Sequence, residues 1–98
     1  MPKGLDAETK DEFIKNLTEN LPVLRAKLGI TQAELADKIG ISRQTLIAIE
    51  MGKRVMSWHM FVTLTLFFLQ NESTKMLLPA VNVYNKELID FFNYESDK

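Results

Sequence analysis

Three times in the middle of this chain an apolar-periodic run stops at a glycine and a hydroxyl side chain opens the next. Gly29 precedes Thr31, Gly40 precedes Ser42, and Gly52 precedes Ser57. Glycine enters the left-handed backbone conformation that closes a helix without steric cost. Serine or threonine at the following start accepts a hydrogen bond from a first-turn N–H that has no helical partner. Thr31-Gln32-Ala33-Glu34 has the reciprocal form, in which the hydroxyl takes the Glu34 N–H and the carboxylate reaches back. The spacing predicts a helix after Thr31 with Leu35, Ala36 and Ile39 inward, stopped by Gly40. It predicts a second after Ser42 with Leu46 and Ile49 inward, stopped by Gly52, and a third from Ser57 to about Gln70.

Upstream, Phe13, Leu17, Leu21, Leu24 and Leu28 recur at spacings of three and four and make one apolar stripe. Pro22 interrupts it. Proline lacks the N–H of an interior helical bond but is tolerated in a first turn. The expectation is a short helix ending before Leu17 and a second starting near Thr18 to Leu21 and running to Leu28. In the run after Ser57, Val62, Leu64, Leu66 and Phe68 alternate with Thr63, Thr65 and Phe67, a composition that also suits a strand. Helix is the better reading, because the run is long, Ser57 caps it and no second clear strand is there to pair with it. Asn71 to Thr74 reads as a polar break. Lys75 to Val81 is apolar, with Pro79 limiting any helix. Asn85-Lys86-Glu87-Leu88 opens a short last helix carrying Leu88, Ile89, Phe91 and Phe92. The fold class is all-α, with five to six short helices.

Two short helices joined at a glycine, the second capped by Ser42, form a helix-turn-helix. Counting Gln32 as the first position, Ala36 is fifth, Gly40 ninth, Ile41 tenth, Leu46 fifteenth and Ile49 eighteenth. A small residue lets the helices cross closely, the glycine makes the turn, and the three large apolar side chains fix the angle between the helices. Ile30-Thr31-Gln32-Ala33-Glu34-Leu35-Ala36, then Gly40-Ile41-Ser42-Arg43-Gln44-Thr45, then Ile49-Glu50-Met51-Gly52-Lys53-Arg54 resemble the phage repressor and Cro family of DNA-binding proteins, the Cro/C1-type or XRE family. The resemblance covers about residues 18–70. It divides the chain into an N-terminal extension with a short helix (1–17), a helix-turn-helix DNA-binding domain (18–70) and a C-terminal helical segment (71–98), a possible dimer interface.

The resemblance implies double-stranded DNA as partner and a transcriptional regulator, a repressor, acting as a homodimer on a palindromic operator. The helix after Ser42 would enter the major groove with its N-terminal end leading. Gln44 suits a bidentate pair with adenine, Arg43 a guanine or a phosphate, and Ile47 and Ala48 the thymine methyl groups. Thr45 either reads a base or supports the helix. Outside the motif, Arg43 and Gln44 would be plain solvated side chains. Gln32, Ser42, Lys53 and Arg54 are the expected phosphate contacts, which position a protein without reading sequence. For Gln32, Lys53 and Arg54 a solvated surface is the alternative, and Ser42 is a cap first. The same resemblance implies that Arg25 and Glu50 form a partly buried ion pair, a scaffold role. Two residues depart from the family pattern. Met51 stands where asparagine is frequent. Ile47 stands where serine is common, which fits apolar base contact and equally a surface that binds protein.

Net charge is −1, yet it is unevenly spread. Residues 21–60 carry Arg25, Lys27, Lys38, Arg43, Lys53 and Arg54 against Glu34, Asp37 and Glu50, while acids dominate both flanks. The local field is what nucleic acid meets. Hydrophobic residues make up 46% of the chain, enough for one globular domain. There is no cysteine, so no disulfide or thiolate metal site is expected, and His59 has no second histidine to complete one. Met1 to Lys10 lacks an apolar signal core, and Trp58 to Leu69 is too short to span a bilayer, so a cytoplasmic protein with no membrane partner is expected. Asp37 and Glu50 make no carboxylate pair, and no catalytic or phosphate-loop spacing occurs, so no enzyme and no cofactor are expected. The apolar tail, with Met76, Leu77, Leu78, Val81, Val83, Tyr84, Leu88, Ile89, Phe91 and Phe92, either folds over Trp58 to Leu69 or makes a dimer interface. Two other classes stand beside the DNA regulator: an antitoxin-type module that neutralises a protein partner such as a toxin and autoregulates, and a purely structural helical adaptor.

Overall fold

The computed structural model describes residues 5–94, so the outer ends of both flanking segments, 1–4 and 95–98, lie outside the described residues. Seven helical segments and no strand occupy the described residues: α1 (Ala7–Leu28), α2 (Gln32–Ile39), α3 (Arg43–Glu50), α4 (Trp58–Leu69), α5 (Glu72–Lys75), α6 (Leu77–Ala80) and α7 (Lys86–Phe92). The strand alternative for the run after Ser57 is thereby removed. Two of the seven, α5 and α6, are single turns of four residues.

The expected break near Leu17 is absent. α1 runs unbroken for 22 residues through Pro22. Pro22 is exposed, while Phe13, Leu17, Leu21 and Leu24 are buried. A proline inside a helix costs about 3 kcal/mol through one lost bond and a clash with the previous turn. Each large side chain buried contributes roughly 1.5–3 kcal/mol. A continuous stripe of such residues outweighs one lost rung. Thr18 and Asn20 also donate from their side chains to the carbonyls of Ile14 (2.7 Å) and Asn16 (2.8 Å), binding the turns before the proline.

The caps form where the sequence places them. Thr31 and Glu34 make both bonds of the capping box, at 3.0 and 2.9 Å. Ser42 accepts from the Thr45 N–H and Ser57 from the Met60 N–H, each at 3.0 Å. Gly40 takes φ +82°, its N–H reaching the Ala36 carbonyl at 2.9 Å and that of Ile41 the same carbonyl at 3.0 Å. Gly52 takes φ +78°, and the Lys53 N–H closes onto the Ala48 carbonyl at 2.8 Å. These two left-handed residues turn the chain sharply on either side of α3.

The polar break expected at Asn71 to Thr74 is instead part of a packed corner. Thr74 is fully buried, and its hydroxyl donates to the Phe68 carbonyl at 2.7 Å. The Asn71 amide donates to the Phe67 carbonyl at 2.9 Å. The last carbonyls of a helix lack intrahelical donors, and these two polar side chains supply them for α4. Pro79 sits third in α6, where a missing N–H breaks no helical bond.

One core joins the helices. Leu17, Leu21, Leu35, Leu46, Ile49, Phe61, Leu64 and Phe68 are fully buried in it, and Leu78, Val83 and Leu88 from the tail join them. The tail thus divides. Those three side chains complete the core, whereas Met76, Ile89, Phe92 and Tyr94 stay exposed.

Candidate nucleic-acid interface

α3 is pinned on one side and open on the other. Leu46 and Ile49 are fully buried, and Ile41 and Ile39 pack half-buried against the same core. A helix fixed along one stripe must present the opposite stripe outward. Arg43 and Gln44 are exposed at its N-terminal end, with Ile47 and Ala48 half-buried behind them. Ser42 and the loop residues Lys53 and Arg54 are exposed as well.

Thr45 is more tied down than its position suggests. The Ser42 hydroxyl donates to the Thr45 hydroxyl at 2.8 Å while accepting the Thr45 N–H. Arg54 Nη1 lies 3.5 Å from the same Thr45 oxygen, a long contact that leans the loop toward the start of α3. Both lone pairs of the Thr45 oxygen are therefore engaged locally, and its hydroxyl hydrogen and methyl group are what remain to offer.

Behind the open face lies a cluster joining three helices. Arg25 of α1 donates from Nε and Nη2 to the two carboxylate oxygens of Glu50, both at 2.8 Å. The Glu50 side chain is only 6% exposed and that of Arg25 18%. Glu50 ends α3, where the negative end of the helix dipole disfavours a carboxylate. The guanidinium offsets this, and its hydrogen bonds to Glu50 raise the already high Arg25 pKa against the opposing effect of burial. Gln32 at the start of α2 also donates from Nε2 to Glu50 Oε1, at 2.9 Å. Sequence patterns did not reveal that bond, because it depends on how closely the α2 start approaches the α3 end. One amide hydrogen and the carbonyl oxygen of Gln32 lie outside it.

The family model described as helix-turn-helix matches residues 24–57. An uncharacterized HTH-type transcriptional regulator of Methanocaldococcus jannaschii is 32% identical over 82 residues, covering 84% of this chain and all of that protein. One of Archaeoglobus fulgidus is 30% identical over 74 residues, 76% of this chain and 83% of that protein. This chain belongs to the XRE-type helix-turn-helix family. One of Methanothermobacter thermautotrophicus shares 55% identity with this XRE-type protein over a shorter stretch of 29 residues, 30% of this chain and 42% of that protein. No solved structure matches significantly. The similarity to the Methanocaldococcus jannaschii protein runs well beyond residues 24–57.

Within this XRE-type chain the two unusual residues lie one turn apart at the C-terminal half of α3. Ile47 is half-buried on α3, and Met51 is 61% exposed just after it. Val55, beyond Lys53 and Arg54, is 77% exposed. Among the described residues no group of His, Cys, Asp and Glu is placed to hold a metal ion, and His59 is exposed. Among them, too, no helix is long and apolar enough to cross a membrane.

Proposed function

We propose that this protein binds double-stranded DNA sequence-specifically as a homodimer and represses transcription by occupying a palindromic operator in the cytoplasm. The observation that carries the reading is the one-sided anchoring of α3. Leu46 and Ile49 hold it rigidly, and Arg43 and Gln44 project from the end that leads into a major groove. Arg43 pairs with guanine and Gln44 with adenine. Ile47, Ala48 and the Thr45 methyl group face thymine methyls. Gln32, Ser42, Lys53 and Arg54 hold phosphates on either side, Gln32 through the amide hydrogen that Glu50 leaves free.

Two copies are required on energetic grounds. A single short recognition helix offers few base contacts, each worth about 1–3 kcal/mol. Two-fold symmetry doubles them on half-sites about 10 base pairs apart.

Selection of binding sites from random duplex DNA tests this. The expected result is a palindromic consensus whose affinity falls steeply with salt. Enrichment of no site, together with unchanged binding by Arg43→Ala/Gln44→Ala, would sink the reading. A toxin-like protein that co-purifies with the chain and is neutralised by it would favour a partner-neutralising role.

A further inference from the structure

α1 and the turn that follows α3 leave a groove of about 620 Å³ between them. Ile14 and Pro22 line it from α1, and Ile49, Met51 and Val55 from the other side. Met51 is 61% exposed and Val55 77%, so large apolar side chains stand in water along its rim. Clefts of about 300–1,000 Å³ with apolar walls and a few convergent polar groups are the usual sites of small ligands. Methionine suits such a wall, because its unbranched, polarisable side chain adapts to the shape of an occupant.

The fold itself leaves one polar group over in the α1 wall. In a regular helix the Thr18 carbonyl accepts the N–H of the residue four places on, which is Pro22. Proline has no N–H to give. The Thr18 hydroxyl does not serve in its place, since it donates to the Ile14 carbonyl at 2.7 Å. Thr18 and Pro22 both line the groove, so an acceptor without its helical donor lies in the groove wall.

The surrounding charges decide which donor suits it. Asp11, Lys15 and Glu19 follow one another at intervals of four along the same wall. Two carboxylates against one ammonium leave that wall net negative. Lys15 stands 3.9 Å from Glu19, and among the described residues Asp11 makes no ion pair. On the other side, Glu50 is held by Arg25 and Gln32, and Arg54 leans toward Thr45 at 3.5 Å. An ammonium group with N–H bonds satisfies both the carbonyl and the negative wall, whereas a carboxylate satisfies neither. The same wall repels DNA phosphate. None of Arg43, Gln44, Ile47 and Ala48 lines the groove, so an occupant does not block the base-facing side chains.

We propose that this groove binds a small apolar molecule carrying a primary or secondary ammonium group, and that its occupancy strengthens DNA binding. The ammonium donates to the Thr18 carbonyl in the field of Asp11 and Glu19. The apolar body packs between Ile14 and Pro22 on one side and Met51 and Val55 on the other. The regulatory half rests on the DNA-binding reading above. Gly52 and Arg54 belong to the second wall, so an occupant holds the loop that presents Lys53 and Arg54 to phosphate and offsets the negative charge of α1 beside it. By linkage, ligand and DNA raise each other's affinity by the same factor.

Nuclear magnetic resonance titration of the full chain with tryptamine tests the site without DNA. Two analogues serve as controls: indolepropionate, with a carboxylate in place of the amine, and trimethyltryptammonium, with the charge but no N–H on it. Tryptamine is expected to shift the backbone amides of both walls, around Thr18 and around Met51 to Val55. Indolepropionate should leave them unmoved, and trimethyltryptammonium should bind about ten-fold more weakly than tryptamine. Pro22→Ala restores the missing N–H and favours the helix, so the protein stays folded. In that variant tryptamine is expected to lose about ten-fold in affinity and to bind no better than its trimethyl analogue. Saturating tryptamine should tighten binding to the selected operator by about five-fold or more, read by fluorescence anisotropy.

Absence of shifts in both walls up to the solubility limit of tryptamine overturns the site. Equal binding of indolepropionate overturns the ligand class, and unchanged affinity in Pro22→Ala overturns the role of the Thr18 carbonyl. Groove amides that respond to added basic peptide and not to tryptamine assign the surface to a protein partner and overturn the small-molecule reading. Binding of tryptamine with no change in operator affinity overturns the regulation and leaves the site standing. A chain that binds tryptamine as expected and selects no DNA overturns the DNA-binding reading alone.

Discussion

Arg25 of α1 holds Glu50, the last residue of α3, through two parallel hydrogen bonds of 2.8 Å, and Gln32 at the start of α2 adds a third at 2.9 Å to the same carboxylate. One carboxylate thus sets the ends of three helices relative to one another. α3 is only eight residues long, and an isolated helix of that length has little stability of its own. Its orientation comes from Leu46 and Ile49 underneath and from this ion pair at its end.

Removing Arg25 leaves the nearly buried Glu50 carboxylate without a cation, held only by the Gln32 amide. Breaking a fully buried pair costs about 3–5 kcal/mol. Arg25 is 18% exposed, so solvent recovers part of this. Arg25→Met is expected to lower stability by about 2–4 kcal/mol in urea unfolding, with Arg25→Met/Glu50→Leu recovering much of it. If Arg25→Met unfolds at the wild-type midpoint, the pair is not a scaffold element.

Arg43 and Gln44 stand exposed on a helix whose core face is fixed, so their truncation should change recognition and not folding. On the selected operator, Arg43→Ala and Gln44→Ala are each expected to lose about 1–3 kcal/mol per half-site contact, roughly ten-fold or more. Sequence preference should relax at one base position for each variant, and binding to unrelated DNA should change less. Fluorescence anisotropy on wild-type and single-base-changed sites measures both. Equal losses on all sites would reassign the residue to the DNA backbone.

Lys53 and Arg54 lie in the exposed loop that Gly52 turns toward the start of α3. Contacts to phosphate release counterions and make affinity depend on salt. Lys53→Ala is expected to weaken binding about equally across sequences and to lower the salt slope by about one for each protomer. Arg54→Ala should do the same and also free the Thr45 hydroxyl from its long contact. A changed consensus with an unchanged slope would contradict the assignment.

The parts of this fold legible in the sequence are those decided by neighbours along the chain. Thr31 with Glu34, Ser42, Ser57 and the glycines act within a turn of their own positions, so pattern alone located α2, α3 and the start of α4. What stayed hidden depends on which way a residue faces. Pro22 reads as a breaker until it is seen on the wet side of a stripe that is buried on the other. Thr74 reads as loop until its hydroxyl is found inside, closing the end of α4. The same holds at the candidate site. The outward set on α3 follows from its inward stripe, but the bond from Gln32 to Glu50 needs two helix ends that are 18 residues apart in sequence.

Gly40 tests the turn without disturbing packing. Its φ is +82°, and a Cβ built there meets nothing within 4 Å. The whole cost of Gly40→Ala is therefore conformational, about 1–2 kcal/mol for a left-handed residue with a Cβ. Gly40→Asn should cost less, because asparagine enters this region more readily. Chemical unfolding of the two variants checks the order. Equal losses would show that something other than backbone strain limits the position.

Thr65 offers a change in the opposite direction. The residue is 5% exposed on α4, and its hydroxyl oxygen has no hydrogen-bond partner. A buried polar group without a partner carries a desolvation cost of about 1–3 kcal/mol. Valine has the same branched shape and lacks the hydroxyl, so Thr65→Val removes that cost and fills the same space. It is expected to raise stability by about 1 kcal/mol, read as a higher urea midpoint at unchanged m-value. Helical content and DNA affinity should stay those of wild type, since Thr65 lies away from α3. A lower midpoint would show that the hydroxyl is bonded in solution, and the place to look would be the carbonyls one turn earlier on α4.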